Sequence, residues 1–443
     1  MSNALPHNSD IGSCVAEARM RYAAARPASA EQHHLAAAVL PGGNTRSVLA
    51  YGPFPTAMRR GEDCRLWDID GHEYLDLCGE YTAGLFGHSD PRIQAALRDA
   101  LANGISLAAV GQAEQRLAAI LCSRFAGMER VRFTNSGTEA NLMALMAARA
   151  FTGRPGILAF RGGYHGSVLT FPLAGASPVA VPFPTVLADY NDTDGAVAAI
   201  RENAAMLGAV IVEPMLGSGG CIPGRADFLA ALREVTAAAG IPLILDEIMT
   251  SRMSAGGMQA RLGLRPDLTT LGKYVAGGMS FGAFGGRGDI MDQFGGTIPH
   301  AGTFNNNVLS MAGGCVAMGE IFDAATAEAL FQRGEALRAR LNSLCEAAGV
   351  VMGFTGLGSM MTVQFRRLPI ERPAMPMPAE ESLRELFFFD MMEAGIYLAR
   401  RGMAALSLPV GEAEMDRFIA AVAEFVAVRK PLLQPARPLG SAA

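Results

Sequence analysis

Lysine is almost missing from this chain. Of its 37 lysines and arginines only Lys273 and Lys430 are lysines, so arginine carries nearly all the positive charge. Long apolar runs are missing too: no uninterrupted stretch reaches the roughly 20 residues that cross a bilayer, so no membrane partner is expected. Met1 to Asp10 has neither a basic start nor an apolar segment, which argues against secretion. The seven cysteines (Cys14, Cys64, Cys78, Cys122, Cys221, Cys315 and Cys345) are scattered and never form a CxxC pair. That pattern gives no disulfide framework and no metal site, and it fits reduced thiols in a cytoplasmic protein. With a net charge of −5 and no basic block, the chain lacks the footprint of a nucleic-acid binder. It also has no GxxxxGK[ST] loop and no well-placed GxGxxG after its first strand, which weighs against a nucleotide-binding α/β protein.

What is present reads as a globular α/β chain. Half of the 443 residues are apolar and 18% are charged, enough for a large core and two or three lobes. Residues 12–37 read as one helix and Pro41 to Ser47 as a loop. Residues 64–77 read as a hairpin turning at Asp70-Gly71, and 91–103 and 112–125 as helices. From there the pattern is strand, turn, helix. Strands are expected at 131–134, 156–160, 209–212, 242–245 and 268–271, with helices at 139–151 and 227–239. Buried strands alternating with helices imply a mostly parallel sheet covered on both faces, with ligands at the carboxyl ends of the strands. After about residue 325 the texture becomes a smaller α+β lobe that packs with the N-terminal segment. It has helices at 327–347, 382–395 and 412–428, strands at 360–365 and 404–408, and a proline-rich loop at 366–381.

Three local features then converge. Lys273 lies mid-chain between an apolar run and a glycine pair, whereas Lys430 lies in a polar tail. A desolvated lysine amine can become a neutral nucleophile, which arginine cannot; equally, one surface lysine can survive an arginine-biased composition. Asn135-Ser136-Gly137-Thr138 joins a strand to a helix and suits either phosphate binding or ordinary capping. Asp246 ends an apolar strand, where a carboxylate needs a cation or a loop to cap. Arg161 to Gly166 adds Tyr164 and His165 among glycines, so that a flat ligand could approach the backbone. Pyridoxal 5′-phosphate explains the set. Its aldehyde takes the lysine amine, its phosphate the helix start, and its ring nitrogen the carboxylate that keeps the ring an electron sink.

The order Asn135-Ser-Gly-Thr-Glu-Ala-Asn, Gly163-Tyr-His-Gly, Glu213-Pro, Asp246-Glu-Ile, Leu271-Gly-Lys and Gly302-Thr-Phe-Asn-Asn-Asn resembles the class III aminotransferases. The likeness runs from about Pro41 to Pro409. It is stronger to the β-amino-acid (β-phenylalanine type) aminotransferases than to the glutamate-1-semialdehyde aminomutases of the same branch. Asn44-Thr-Arg-Ser, Gly79-Glu-Tyr-Thr-Ala-Gly and Asp246-Glu-Ile-Met-Thr-Ser-Arg carry that preference. The small-residue loop that follows Tyr-His-Gly in the aminomutases is replaced here by Ser167 to Leu173.

The resemblance implies a fold-type I transferase. Its large domain, about 86–325, would hold a mostly parallel seven-stranded sheet, and its small α+β domain would be built from 1–85 and 326–443. It implies Lys273 as Schiff-base lysine and proton carrier, and Asp246 on the ring nitrogen. Tyr164 and Ile248 would lie on the two ring faces, and Ser136, Gly137 and Thr138 on the phosphate. Thr303 would reach that phosphate from the neighbouring subunit of a homodimer. Arg46 would bind the substrate carboxylate, Arg401 is the second candidate with Arg400 beside it, and Tyr81 would line the pocket. His88 and His300 read as structural, and Met249 to Arg252 as either pocket or turn. The expected reaction passes an amino group from a small-molecule β-amino donor to a keto-acid acceptor, 2-oxoglutarate or pyruvate. The alternatives are an aminomutase-like isomerase, an aminotransferase for another amine class, and a non-catalytic cofactor binder.

Overall fold

The computed structural model describes residues 10–434, so the expectation for Met1 to Asp10 falls, except for Asp10 itself, outside the described residues. The strands of the central sheet lie side by side in the order Arg130–Thr134, Gly282–Gly286, Leu268–Gly272, Leu243–Asp246, Leu207–Val212, Gly156–Phe160 and Thr185–Ala188. Only Gly282–Gly286 runs against its neighbours; the other pairings are parallel. The sheet is therefore seven-stranded and mostly parallel, as expected.

Its central strands are buried along their whole length because each carries apolar side chains toward both faces. Leu158, Phe160, Val210 and Val212 pack with Ala196, Ile200, Phe228 and Leu232 of the helices Thr193–Glu202 and Ala226–Ala238. The alternate residues Ile157, Ala159, Ala209 and Ile211 pack with Ala140, Ala144 and Ala148 of the helix Gly137–Thr152. Small alanines on that helix let it lie close against the sheet.

The two ends of the chain meet away from this sheet. Ile396–Tyr397 pairs in parallel with Glu73–Asp76, adding a C-terminal strand to the N-terminal hairpin. The helix Ile11–Ala24 packs on Pro378–Glu393, with the Tyr22 and Phe389 rings 5.1 Å apart. A three-stranded sheet of Gly353–Leu357, Met360–Gln364 and Met403–Ala405 completes this region. Among the described residues no single helix is long and apolar enough to cross a membrane.

Several elements differ from expectation. Residues 12–37 form two helices, Ile11–Ala24 and Pro27–Ala37, because Pro27 has no N–H to continue the first and is well placed to begin the second. The proline-rich loop ends early, since Pro378 starts a helix at its first position. Lys430 lies not in a tail but at the end of the last helix, Glu412–Arg429, where it is exposed. The strands Thr185–Ala188, Gly282–Gly286 and Gly353–Leu357 were not expected.

The glycine of one such strand couples the sheet to the turn at 135–138. A Cβ on Gly282 would collide with Ser136 O and Thr134 Oγ1 on the neighbouring strand. Gly282→Ala should therefore destabilise the fold by about 1–3 kcal/mol, seen as a lowered urea midpoint with an unchanged slope.

Candidate active site

The carboxyl ends of neighbouring strands gather the residues singled out above. Asp246 ends Leu243–Asp246 and pairs in register with Thr270; Lys273 lies three residues beyond Thr270, immediately after the adjacent strand ends at Gly272. Asp246 is 4% exposed, so its carboxylate needs partners. Its Oδ2 accepts from Asn141 Nδ2 at 2.8 Å and faces His165 Nδ1 at 2.7 Å, and its Oδ1 accepts from Ile248 N at 3.0 Å. Asn141 is itself held by Thr270 Oγ1 at 2.6 Å and reaches His165 O at 2.9 Å. Burial alone would push His165 down, but its hydrogen bond to Asp246 and the carboxylate's charge raise it. A carboxylate offers about four acceptor positions. Three are engaged here, which leaves one for a ring N–H.

Lys273 has positive φ, and its Nζ donates to Tyr81 O at 2.7 Å. Desolvation, then the charge of Arg401, push its amine down to about 7; Asp246 and Glu213 pull the other way. Its half-buried side chain still meets the cleft. Glu213 is buried, its carboxyl accepting from Tyr164 N at 2.9 Å and Gly217 N at 3.0 Å, and burial raises it. The adjacent acid Glu247 turns the other way and receives the N–H groups of Met258 and Gln259.

The turn beside them opens the helix Gly137–Thr152. Ser136 is its N-cap, accepting from Glu139 N at 3.2 Å, so the capping reading of this serine holds. Gly137 and Thr138 remain at the first helical positions, where N–H groups have no intrahelical acceptor. A Cβ on Gly137 would lie 2.5 Å from Ile248 Cδ1, and one on Gly272 3.5 Å from Ile248 Cγ2. Ile248 is thereby wedged between the turn and the residue before Lys273. Gly166, at φ +125°, lets the loop carrying Tyr164 and His165 approach Thr138. Tyr164 is 46% exposed.

Tyr81 organises the outer part. The guanidinium carbons of Arg46 and Arg401 lie 5.4 Å and 5.3 Å from its ring centre. Its hydroxyl donates to Val48 O at 3.1 Å, tethering the loop that carries Arg46. Arg46 also pairs with Glu80. Arg400 instead pairs with Glu385 at 2.9 Å, which separates it from Arg401. Cavities lie on either side: about 670 Å³ lined in part by Asn44, Leu49, Glu80 and Tyr81, and about 240 Å³ lined in part by Gly219, Gln364 and Arg401.

Gly79, Glu80, Tyr81 and Thr82 form an unbroken run of positive φ, at 52°, 48°, 55° and 82°. For a side chain other than glycine this costs about 1–3 kcal/mol each, most acutely for β-branched Thr82. Thr303 is exposed, two residues before Asn305, whose Oδ1 accepts from Asn135 Nδ2 at 3.1 Å. His88 bonds Asp76 at 2.9 Å, and the His300 ring meets those of Phe284 and Phe294 edge-on. Sequence reading did not find Asn141, Glu80, or the ties of Glu213 and Arg252. Their partners are remote in sequence, apart from Gly217, four residues after Glu213.

The family description for class III aminotransferases matches residues 48–410. The β-phenylalanine transaminase of Variovorax paradoxus is 49% identical over 96% of this chain and 98% of its own length. Its crystal structure superposes with a TM-score of 0.95, covering 97% of this chain and 100% of that one. A glutamate-1-semialdehyde 2,1-aminomutase of Rhodopirellula baltica is 34% identical over 90% and 95%. An ω-transaminase structure from Sphaerobacter thermophilus superposes at 0.86 with 36% identity, covering 91% and 98%.

The two lysines make the amine's state measurable. In the cofactor-free full chain, pH-dependent labelling by an amine-selective reagent, read by mass spectrometry, should give Lys273 a midpoint near 7. Exposed Lys430 serves as the internal reference. Because the neutral amine gains population as pH rises, labelling of Lys273 should climb through that value. Arg401→Gln, by removing a charge that lowers the amine, should move the Lys273 midpoint upward.

Proposed function

Since the chain belongs to the class III aminotransferases, a family of pyridoxal phosphate enzymes, we propose that it transfers the amino group of a β-amino acid to 2-oxoglutarate or pyruvate. The donor would carry an aromatic or other apolar β-substituent, of the β-phenylalanine type named for its Variovorax relative. The observation that carries this reading is Tyr81, whose ring has both Arg46 and Arg401 beside it while its carbonyl meets the Lys273 amine. Two arginines around one reacting amine suit an enzyme that alternates between two acids.

When bound, pyridoxal phosphate supplies an aldehyde and an electron-withdrawing ring. In our reading the rest falls to the chain. Gly137 and Thr138 offer N–H groups to the phosphate, with Ser136 setting their geometry. Asp246 would take the ring N–H on its remaining acceptor position, and Tyr164 and Ile248 would flank the ring. Lys273 Nζ, neutral above about pH 7, would take the proton from the amine-bearing carbon and deliver it to the cofactor's aldehyde carbon, a role typically worth ~10²–10⁴-fold. Arg46 holds the donor's carboxylate through two parallel N–H bonds, which fixes orientation as well as charge. Glu80 must release Arg46 for that to happen. The cavity below the Arg46 loop, with Leu49, Met58 and Leu66 in its wall, is where an apolar substituent would sit.

We read the functional unit as a homodimer with Thr303 serving the partner's phosphate site. Exposed Ile105, Leu107, Val110 and Phe304 support this, since Asn306 Nδ2 reaches Ala109 O at 3.3 Å and joins their two segments. Seven free cysteines fit a cytoplasmic setting.

Donor screening against both acceptors, with single turnovers followed in the cofactor's absorption, tests the reading. A β-amino acid should release its keto acid stoichiometrically in the absence of acceptor, and Lys273→Ala should abolish this. Arg46→Ala should raise KM for the donor about 10–100-fold, the loss of one charged hydrogen-bonding partner. A donor rearranged without consuming acceptor would instead mark an isomerase. Turnover confined to α- or ω-amines would move the assignment to another amine class.

A further inference from the structure

Arg252 ranks first by volume among the side chains fully enclosed in the described structure, at 1% exposed, and among the described residues no carboxylate pairs with it. A buried guanidinium is costly unless its N–H groups find acceptors. Arg252 finds them on three segments remote from one another: Nε donates to Ser359 Oγ at 2.9 Å, Nη1 to Thr82 O at 3.4 Å, and Nη2 to Leu406 O. Burial nevertheless pushes it down to about 10.

Thr82 closes the left-handed run that begins at Gly79. Such a run persists only where its surroundings over-determine it. At its start, Asp76 Oδ1 accepts from Cys78 N and Gly79 N, each at 2.9 Å. In its middle, Tyr81 is held through its hydroxyl by Val48 O and through its carbonyl by Lys273. At its end, Arg252 is the side chain that grips the backbone. The Thr82 hydroxyl is enclosed without a partner, so it gives no help of its own.

We propose that Arg252 is a positioning residue for the reaction: by tying Thr82 O to the Ser359 and Leu406 segments, it holds the run so that Tyr81 keeps its carbonyl on Lys273 and its ring beside Arg46 and Arg401. The inference rests on the reading of Lys273 as the reacting amine, and it adds a residue that acts on that amine through the backbone. The arrangement joins the N-terminal hairpin region, the sheet end at 246–253 and the C-terminal sheet at one point. The charged groups bearing on the Lys273 amine are Arg401, Asp246, Glu213 and Arg252 itself.

Arg252→Met and Arg252→Lys, with Lys273 intact, test this in the cofactor-loaded enzyme and in the cofactor-free full chain. Both variants should lose on the order of 10²-fold in kcat/KM, since a lysine cannot span three acceptors and a small misplacement near the reacting atoms suffices. Arg252→Met should also move the Lys273 labelling midpoint to higher pH, because a neighbouring positive charge is gone; Arg252→Lys should move it less. A folded Arg252→Met with kcat/KM within about twofold of the parent overturns the proposal, and if that variant does not fold Arg252→Lys decides by the same measure. Loss of rate with an unchanged labelling curve in both variants overturns it too, since the damage would then lie away from the amine. Parent-like Arg252 variants beside an inactive Lys273→Ala would sink this inference alone. A Lys273→Ala variant that turns over would sink the functional reading instead.

Discussion

A carboxylate buried at the end of an apolar strand constrains everything near it. Asp246 has almost no solvent, so its two oxygens must be satisfied by protein, and they draw in Asn141 from the helix Gly137–Thr152, His165 from the glycine loop and the backbone of Ile248. Each partner fixes a different element. Asn141 sets the rotation of the helix whose first turn faces the cleft, and Thr270 in turn fixes Asn141. His165 pins the loop that presents Tyr164, and Ile248 is placed against Gly137 and Gly272. The same hydrogen bonds that make the acid tolerable thus align the turn, the Tyr164 loop, Ile248 and the strand leading to Lys273.

The sheet supplies one half of the cleft and the joined ends of the chain supply the other. Tyr81, Glu80 and Arg46 come from the N-terminal third and Arg401 from the C-terminal region; both arginines lie beside the Tyr81 ring, and Tyr81 O meets Lys273 at the strand ends. Lys273 therefore follows a fully buried strand, while Arg46 sits on a loop. The ion pair of Arg46 with Glu80 is largely exposed, with side chains 42% and 56% accessible, so little free energy opposes its exchange for another anion.

Much of this was legible in the sequence, for physical reasons that also explain the gaps. Runs such as Ile157 to Phe160 and Leu243 to Leu245 read as strands because nothing but a two-faced buried strand suits them. The strand Gly282–Gly286 did not, since glycine is a poor strand former; here Gly282, Gly285 and Gly286 lie where neighbouring backbone leaves no room for a Cβ. Lys273, Asp246 and the turn at 136–138 were recognisable because each residue type is expensive or unusual where it stands. His165 met Asp246 across 81 positions, a separation that no local pattern encodes. Arg252 read only as the end of a stretch, Met249 to Arg252, that is either pocket or turn, and its contacts with Thr82, Ser359 and Leu406 single it out. The break at Pro27 was available in the sequence and was overridden by alanine-rich helical texture on both sides.

The left-handed run has a consequence for how this chain would evolve under heat. Thr82 holds a backbone conformation that glycine adopts freely, so a glycine there would relieve local strain while giving Tyr81 more freedom to drift from the amine. Selection for thermal endurance alone would be drawn to such a replacement, and selection for turnover would reject it. The segment is a point at which robustness and speed pull in opposite directions.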